Sequence, residues 1–157
     1  RRLAVAGDSA GGNLAAVIAQ QVRVDGPARQ LLIYPGTEMG LTGATHRTLA
    51  DVPMLLTPEN VRFYLDCYAP DVRDPRASPL LGDVAGVAPA TVLTCGFDLL
   101  RAEGQAYAEH LRAAGVAVEA ICHPGLTHGW INILGLLPDA RRVWARVAAD
   151  FGAALAG

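Results

Sequence analysis

The chain has no apolar run long enough for a membrane-spanning helix, no block of like charges, no internal repeat and no low-complexity linker. Its three cysteines, Cys67, Cys95 and Cys122, are odd in number and lack any Cys-x-x-Cys spacing. Each absence excludes something. A spanning helix needs about 20 consecutive, mostly apolar residues, so none is expected. A net charge of −2, from 13 basic and 15 acidic residues in mixed order, creates no field that would gather nucleic acid or an anionic lipid surface. Scattered cysteines argue against a disulfide framework or a zinc site and for reduced thiols in a core, which leads to the expectation of a cytoplasmic protein. What remains is 157 residues, 52% of them hydrophobic, enough for one domain with a sizeable core.

Short apolar runs alternate with helical patterns, which predicts beta-alpha-beta units and an α/β fold with a mainly parallel sheet. Strands are expected at Leu3 to Ala6, Leu31 to Tyr34, Thr91 to Cys95 and Val116 to Cys122. Helices are expected from Leu14 to Val22, from Leu99 to Ala114 with Gly115 as a left-handed cap, and after Pro138, where Val143, Val147 and Phe151 share one face. Between the second and third strands lies a turn-rich insertion. Its one expected helix starts at the N-cap Thr57 with Pro58 in the first turn, carries Val61, Tyr64, Leu65 and Tyr68 at helical spacing, and stops before Pro70. This insertion is expected to lie over the carboxyl edge of the sheet.

The chemistry is concentrated in Gly7-Asp8-Ser9-Ala10-Gly11, which follows the run Leu3-Ala4-Val5-Ala6 and precedes a helical stretch. A serine flanked by glycines two positions away on either side suggests a nucleophile on a sharp strand-to-helix turn, with each glycine letting strand and helix cross closely. A serine hydroxyl needs a base to take its proton and a carboxylate to orient that base. In the alpha/beta-hydrolase order of serine, acid, histidine, the fitting residues are Asp98, just past the third strand, and His128, in the loop after the fourth. His123 is the chief rival as base, but Pro124 biases it toward extended backbone. His110 reads as a helix-surface histidine, His46 as a surface residue of the insertion, and Glu103 as an ion-pair or supporting group. Asp98 has a competing role as N-cap of the following helix and can serve both only if one oxygen stays free.

Gly7-Asp8-Ser9-Ala10-Gly11-Gly12-Asn13, Leu32-Ile33-Tyr34-Pro35, Asp74-Pro75-Arg76-Ala77-Ser78-Pro79-Leu80, Gly96-Phe97-Asp98-Leu99-Leu100-Arg101-Ala102-Glu103-Gly104 and His123-Pro124-Gly125-Leu126-Thr127-His128-Gly129-Trp130 occur in this order. Together they resemble the hormone-sensitive-lipase family of bacterial esterases. The resemblance implies an alpha/beta-hydrolase, its C-terminal part, as a single partial domain over residues 1–157 with a cap-like insertion at about 37–70. It further implies a carboxylester hydrolase for short to medium acyl chains, with Ser9 as nucleophile, His128 as base, Asp98 as orienting acid, and no cofactor or metal. The family's upstream His-Gly-Gly-Gly-type loop is absent, which leaves the Ala10 amide as the assignable oxyanion donor. An alternative is a catalytically impaired fragment, or an amidase such as an arylformamidase using the same three residues. Without upstream neighbours the first strand would be an apolar edge, so pairing with another copy or with a missing N-terminal half is expected. Met39, Met54, Phe63 and Tyr64 are candidates to line a pocket.

Overall fold

The computed structural model describes residues 3–156. Within them β1 (Ala4–Asp8), β2 (Arg29–Ile33), β3 (Ala90–Phe97) and β4 (Val118–Thr127) form one sheet. The strands are all parallel and lie in chain order, β1-β2-β3-β4. Successive side chains of a strand point to opposite faces, so Leu32 and Val92 enter one apolar cluster while Leu31, Ile33, Leu93 and Cys95 enter another. α1 (Ala10–Gln21) and α4 (Arg101–Ala113) cover the first face through Ala15, Ala16, Tyr107, Ala108 and Leu111, and α5 (Pro138–Ala156) covers the second through Ala140 and Val147. Burial on both faces is why the two central strands read as continuous apolar runs rather than alternating ones.

Several element ends differ from the sequence expectation, and the differences matter near the reactive end. β3 continues to Phe97, and β4 continues through Pro124 to Thr127 rather than giving way to a loop after Cys122. The continuation depends on an irregularity. Cys95 pairs with His123 but Phe97 pairs with Thr127, so β4 takes four steps while β3 takes two. A Cβ on Gly96 would fall 2.0 Å from the Pro124 carbonyl oxygen, so only glycine lets the bulged strand come this close. His128 is thereby anchored by its N–H to the Phe97 carbonyl at 3.3 Å and is not on a free loop.

α4 starts at Arg101, two residues later than expected, because Leu99 and Leu100 are buried in the turn that leaves β3. Its C-terminus behaves as predicted. Gly115 adopts φ 80°, its N–H reaches the Arg112 carbonyl at 2.9 Å, and the Val116 N–H reaches that of Leu111 at 3.0 Å, the paired bonds of a Schellman motif.

In the segment between β2 and β3, α2 (Thr45–Thr48) was not foreseen and α3 (Pro58–Tyr68) was. Thr57 and Asn60 cap α3 reciprocally, and Pro58 occupies its first turn. Val61 and Leu65 pack with Leu56, Leu99 and Leu100 beyond the carboxyl end of β3. Tyr64 and Tyr68 do not join them, being 58% and 64% exposed. The cysteine expectation also needs correcting: Cys95 is buried and all three are free, but Cys67 and Cys122 are exposed.

The glycines around Ser9 do unequal work. A Cβ on Gly7 would lie 2.2 Å from the carbonyl carbon and oxygen of Gly11, and one on Gly12 would lie 2.8 Å from Pro35 Cβ. One on Gly11 would meet nothing nearer than Asp8 Oδ1 at 3.9 Å, so the steric role expected of Gly11 falls to Gly12 instead. Gly7→Ala is expected to cost about 3 kcal/mol or more, since backbone cannot rotate away as a side chain can. Gly11→Ala is expected to be neutral or to gain up to about 1 kcal/mol from reduced chain entropy. Urea unfolding followed by circular dichroism compares the two variants, and equal losses would contradict the unequal packing.

Candidate active site

Ser9 links β1 to α1 with φ 53° and ψ −118°, a conformation that side chains rarely adopt. Three backbone bonds hold it there. Its N–H donates to the Ile33 carbonyl at 2.9 Å, and its carbonyl accepts from Asn13 at 3.1 Å and from Gly36 at 3.3 Å. A serine at this position ordinarily caps its helix through Oγ, but here no side-chain cap bond forms. Oγ lies instead 2.9 Å from His128 Nε2.

The opposite ring nitrogen, Nδ1, lies 2.9 Å from Asp98 Oδ2. Asp98 is buried to 1% exposure and does what the sequence reading required of it, because Oδ1 accepts from the Leu100 N–H at 2.9 Å while Oδ2 remains for the histidine. A carboxylate acceptor on Nδ1 favours the tautomer that carries its proton there, leaving Nε2 as an acceptor for the serine hydroxyl. Ser9, His128 and Asp98 thus come from the ends of β1, β4 and β3, brought together at the carboxyl edge of the sheet. Ala10 is exposed at the start of α1, where the first N–H groups of a helix have no acceptor within it and carry the positive end of its dipole.

The rival residues are placed elsewhere. His123 turns toward Trp130 at a ring-centroid separation of 6.4 Å, has no partner on Nε2 among the described residues, and is held below the ordinary histidine pKa by burial. His110 bonds through Nε2 to the Gly82 carbonyl at 2.9 Å. His46 is a correction, for it is not a surface residue. Its Nε2 lies 2.9 Å from Glu103 Oε2, with both side chains almost wholly covered. Glu103 Oε1 accepts from the N–H groups of Thr37 and Glu38 at 2.8 and 3.2 Å, so the pair pins the loop leaving β2. The sequence hinted at Glu103 as a supporting group but offered no signal for its partner.

The Asp74-to-Leu80 segment braces the same loop from below. Ser78 Oγ accepts from the Met39 N–H at 2.9 Å, the Leu80 N–H reaches the Thr37 carbonyl at 3.0 Å, and Asn13 Nδ2 bridges the carbonyls of Gly36 and Ala77 at 2.8 and 2.7 Å.

A cavity of about 110 Å³ opens beside Ser9 and Ala10, walled by Met39, Leu41, Leu56, Val61, Leu65 and Leu100, with Glu38 and Glu103 also in its lining. A second, of about 280 Å³, shares Ala10, Met39, Tyr64 and Leu65 and runs out between Leu14 and Tyr68. Of the pocket candidates, Met39 and Tyr64 line these spaces, while Met54 packs into an apolar cluster and Phe63 is exposed. Among the described residues no group of three or more His, Cys, Asp or Glu side chains is arranged to hold a metal ion, and no helix is long and apolar enough to cross a membrane.

Comparison with known proteins agrees with this fold. A family profile for the alpha/beta hydrolase fold matches residues 1–132. The chain belongs to the alpha/beta-hydrolase family. Within this family it is 42% identical to the carboxylic ester hydrolase LipN of Mycobacterium tuberculosis, over 86% of this chain and 39% of that protein. It is 40% identical to the carboxylesterase NlhH of the same organism, over 98% of this chain and 51% of the other. These relatives bear out the resemblance to the hormone-sensitive-lipase esterases. Among solved structures, an alpha/beta hydrolase enzyme from the metagenome of Lake Arreo superposes with a TM-score of 0.91 at 37% identity, covering 99% of this chain and 51% of that one. An esterase of Pyrobaculum calidifontis does so with a TM-score of 0.89 at 34% identity, covering 98% of this chain and 53% of that one. The chain spans about half the length or less of the curated relatives named here.

Burial raises the Glu103 carboxyl above its ordinary pKa of 4.5, against the lowering effect of His46 and the two amides. A carboxyl raised in the folded state contributes its full stability below the unfolded value and loses it as pH climbs through the folded one. Glu103→Gln keeps an oxygen for the amides without the titration, so its stability relative to the parent is expected to improve from pH 4 to pH 7. Urea unfolding at the two pH values measures this, and a relative change in the opposite direction would refute it.

Proposed function

We propose that this chain carries the nucleophile, base and acid of a serine carboxylester hydrolase, as a single partial domain over residues 1–157 with a cap-like segment at about 37–70. The observation that carries the reading is the unbroken relay from Ser9 Oγ to His128 Nε2 at 2.9 Å and from His128 Nδ1 to Asp98 Oδ2 at 2.9 Å. The names of the relatives, carboxylesterase and ethyl acetate hydrolase among them, support the same reaction class.

In this mechanism Ser9 Oγ attacks the ester carbonyl carbon while His128 Nε2 takes its proton, and Asp98 steadies the resulting imidazolium. The negative charge that gathers on the carbonyl oxygen meets the Ala10 N–H at the positive end of α1. Collapse breaks the bond to the alcohol oxygen, which receives the proton from His128 and leaves the acyl group on Ser9. Water then adds through the same steps, and the carboxylic acid departs. Because removing a single oxyanion donor costs about a hundredfold to a thousandfold in turnover, full activity is assigned to a protein in which further donors join Ala10 from the part of the relatives' length that this chain does not span. The narrow apolar cavity beside Ser9 and its wider continuation fit a short to medium acyl chain, with butyrate esters turned over faster than palmitate esters.

Labelling with a fluorophosphonate tests the proposal without knowledge of the substrate. The parent chain is expected to be labelled at Ser9, Ser9→Ala not at all, and Asp98→Asn about 10³–10⁴-fold more slowly than the parent. Labelling that persists in Ser9→Ala, or a folded parent that is never labelled, would overturn the reading, the second result pointing to a non-catalytic fragment.

A further inference from the structure

Arg101 opens α4, where the positive end of the helix dipole disfavours a cation. Among the described residues it forms no ion pair that would offset this. Its guanidinium turns back along the chain instead, and Nη1 donates to the Gly96 carbonyl at 2.6 Å. Gly96 is the residue of β3 that stands in neither neighbouring register, since pairing with β2 ends at Leu93 and pairing with β4 passes from Cys95 to Phe97. A carbonyl outside its ladder needs another donor, and a charged donor makes a short, strong bond. The segment between Gly96 and Arg101 is the turn that carries Asp98. It is closed a second time from within, by the Leu100 N–H to Asp98 Oδ1 at 2.9 Å and by the Arg101 N–H to the Asp98 carbonyl at 3.3 Å. The base is held from the same place. His128 donates its N–H to the Phe97 carbonyl at 3.3 Å, and Tyr34 lies against its imidazole with ring centroids 4.6 Å apart. The carbonyl that Arg101 grips thus lies one residue before the anchor of the base and two before the acid.

We propose that Arg101 is a positioning residue: by holding the Gly96 carbonyl it closes the turn that carries Asp98 and keeps that carboxylate in register with His128 across the bulge. The proposal rests on the esterase reading above only for its consequence on Ser9 reactivity. The two bonds within the turn fix Asp98 against the start of α4, whereas the bond from Arg101 to Gly96 fixes that helix start against the end of β3. Gly96 is also where the strands come closest, a Cβ there falling 2.0 Å from the Pro124 carbonyl oxygen, so a shift of Gly96 is passed to β4 and its histidine. The contact between His128 Nδ1 and Asp98 Oδ2 is 2.9 Å. Hydrogen bonds weaken steeply as distance and angle depart from this range, and a misplacement of about 1 Å at a reacting group can cost about a hundredfold in rate. Arg101 lines neither of the two cavities that open beside Ala10. Its removal is therefore felt in the chemical step rather than in binding. Because the bond uses a single N–H, a lysine can supply it where a bidentate contact would demand arginine.

The test measures fluorophosphonate labelling of the whole chain over a range of probe concentrations, which separates the maximal rate from the half-saturating concentration. Proton NMR follows the downfield resonance of the hydrogen bond between His128 Nδ1 and Asp98 in the same samples. Arg101→Met removes the donor and keeps the apolar stem. Its maximal rate is expected to fall about tenfold to a hundredfold at an unchanged half-saturating concentration, with the resonance moved upfield or lost. Arg101→Lys is expected to restore most of both. Loss of stability alone moves the urea midpoint and leaves the maximal rate and the resonance of the folded chain where they were. Should the methionine variant not fold, Arg101→Gln, too short to reach Gly96, takes its place against the lysine variant with the same expectations. A folded methionine or glutamine variant with the parent's rate and resonance would overturn the proposal. So would a loss confined to the half-saturating concentration, or a lysine variant as impaired as the methionine one. A resonance lost in Arg101→Met while Ser9 is labelled in no variant, the parent included, leaves this proposal standing and removes the esterase reading; labelling of Ser9 that is indifferent to Arg101 does the reverse.

Discussion

The left-handed turn at Ser9 is the constraint on which the rest depends. At φ 53° and ψ −118° the serine cannot cap the helix it starts, which forgoes about 1 kcal/mol of capping and adds about 1–3 kcal/mol of backbone strain. The tight crossing at Gly7 and Gly11, the packing of Gly12 on Pro35 and the bonds from Ser9 to Ile33, Asn13 and Gly36 hold the turn against that cost. The consequence is chemical, since an Oγ released from capping is available to His128.

The sheet supplies the other two members through its ladder. Because β1, β2 and β3 run parallel, their carboxyl ends come out at one edge, and residues separated by 89 and 119 positions in the chain, being 98 − 9 and 128 − 9, meet Ser9 there. The bulge in β4 then sets the depth of His128. Two extra residues without that pairing would lengthen a loop; with Gly96 admitting Pro124, they carry the histidine back to a backbone bond at Phe97. The loop after β2 is equally determined, by the Glu103–His46 pair on one side and Asn13 and Ser78 on the other. A buried carboxylate bonded to two amides and an imidazole can be tolerated inside the protein where an unpaired one could not.

Much of this was legible before any coordinates. The Ser9 motif followed an apolar run and preceded a helical one, Gly115 marked a helix end, and Thr57-Pro58 marked a helix start, each through chemistry confined to a few neighbouring residues. Asp98 was legible too, down to the need for one free oxygen. What escaped was everything that needed a distant partner. His46 looked like a surface residue because nothing in Thr45-His46-Arg47 indicates that Glu103 lies across from it, and Gly11 looked indispensable because spacing alone does not tell which glycine the backbone approaches. Tyr64 and Tyr68 fit a helix face by periodicity, yet the core takes up Val61 and Leu65 and leaves the tyrosines outside.

By itself the sequence determined the parallel α/β architecture and the strand-turn-helix that presents Ser9, and it singled out Asp98 and His128 as candidates in chain order, because periodicity and turn chemistry are local properties. Only the tertiary structure decided which oxygen of Asp98 faces His128, that β4 bulges to seat that histidine, that His46 bonds Glu103, and that Tyr34 lies against the imidazole. Those outcomes depend on distances between atoms far apart along the chain, which packing fixes to a fraction of an ångström and no run of adjacent residues encodes.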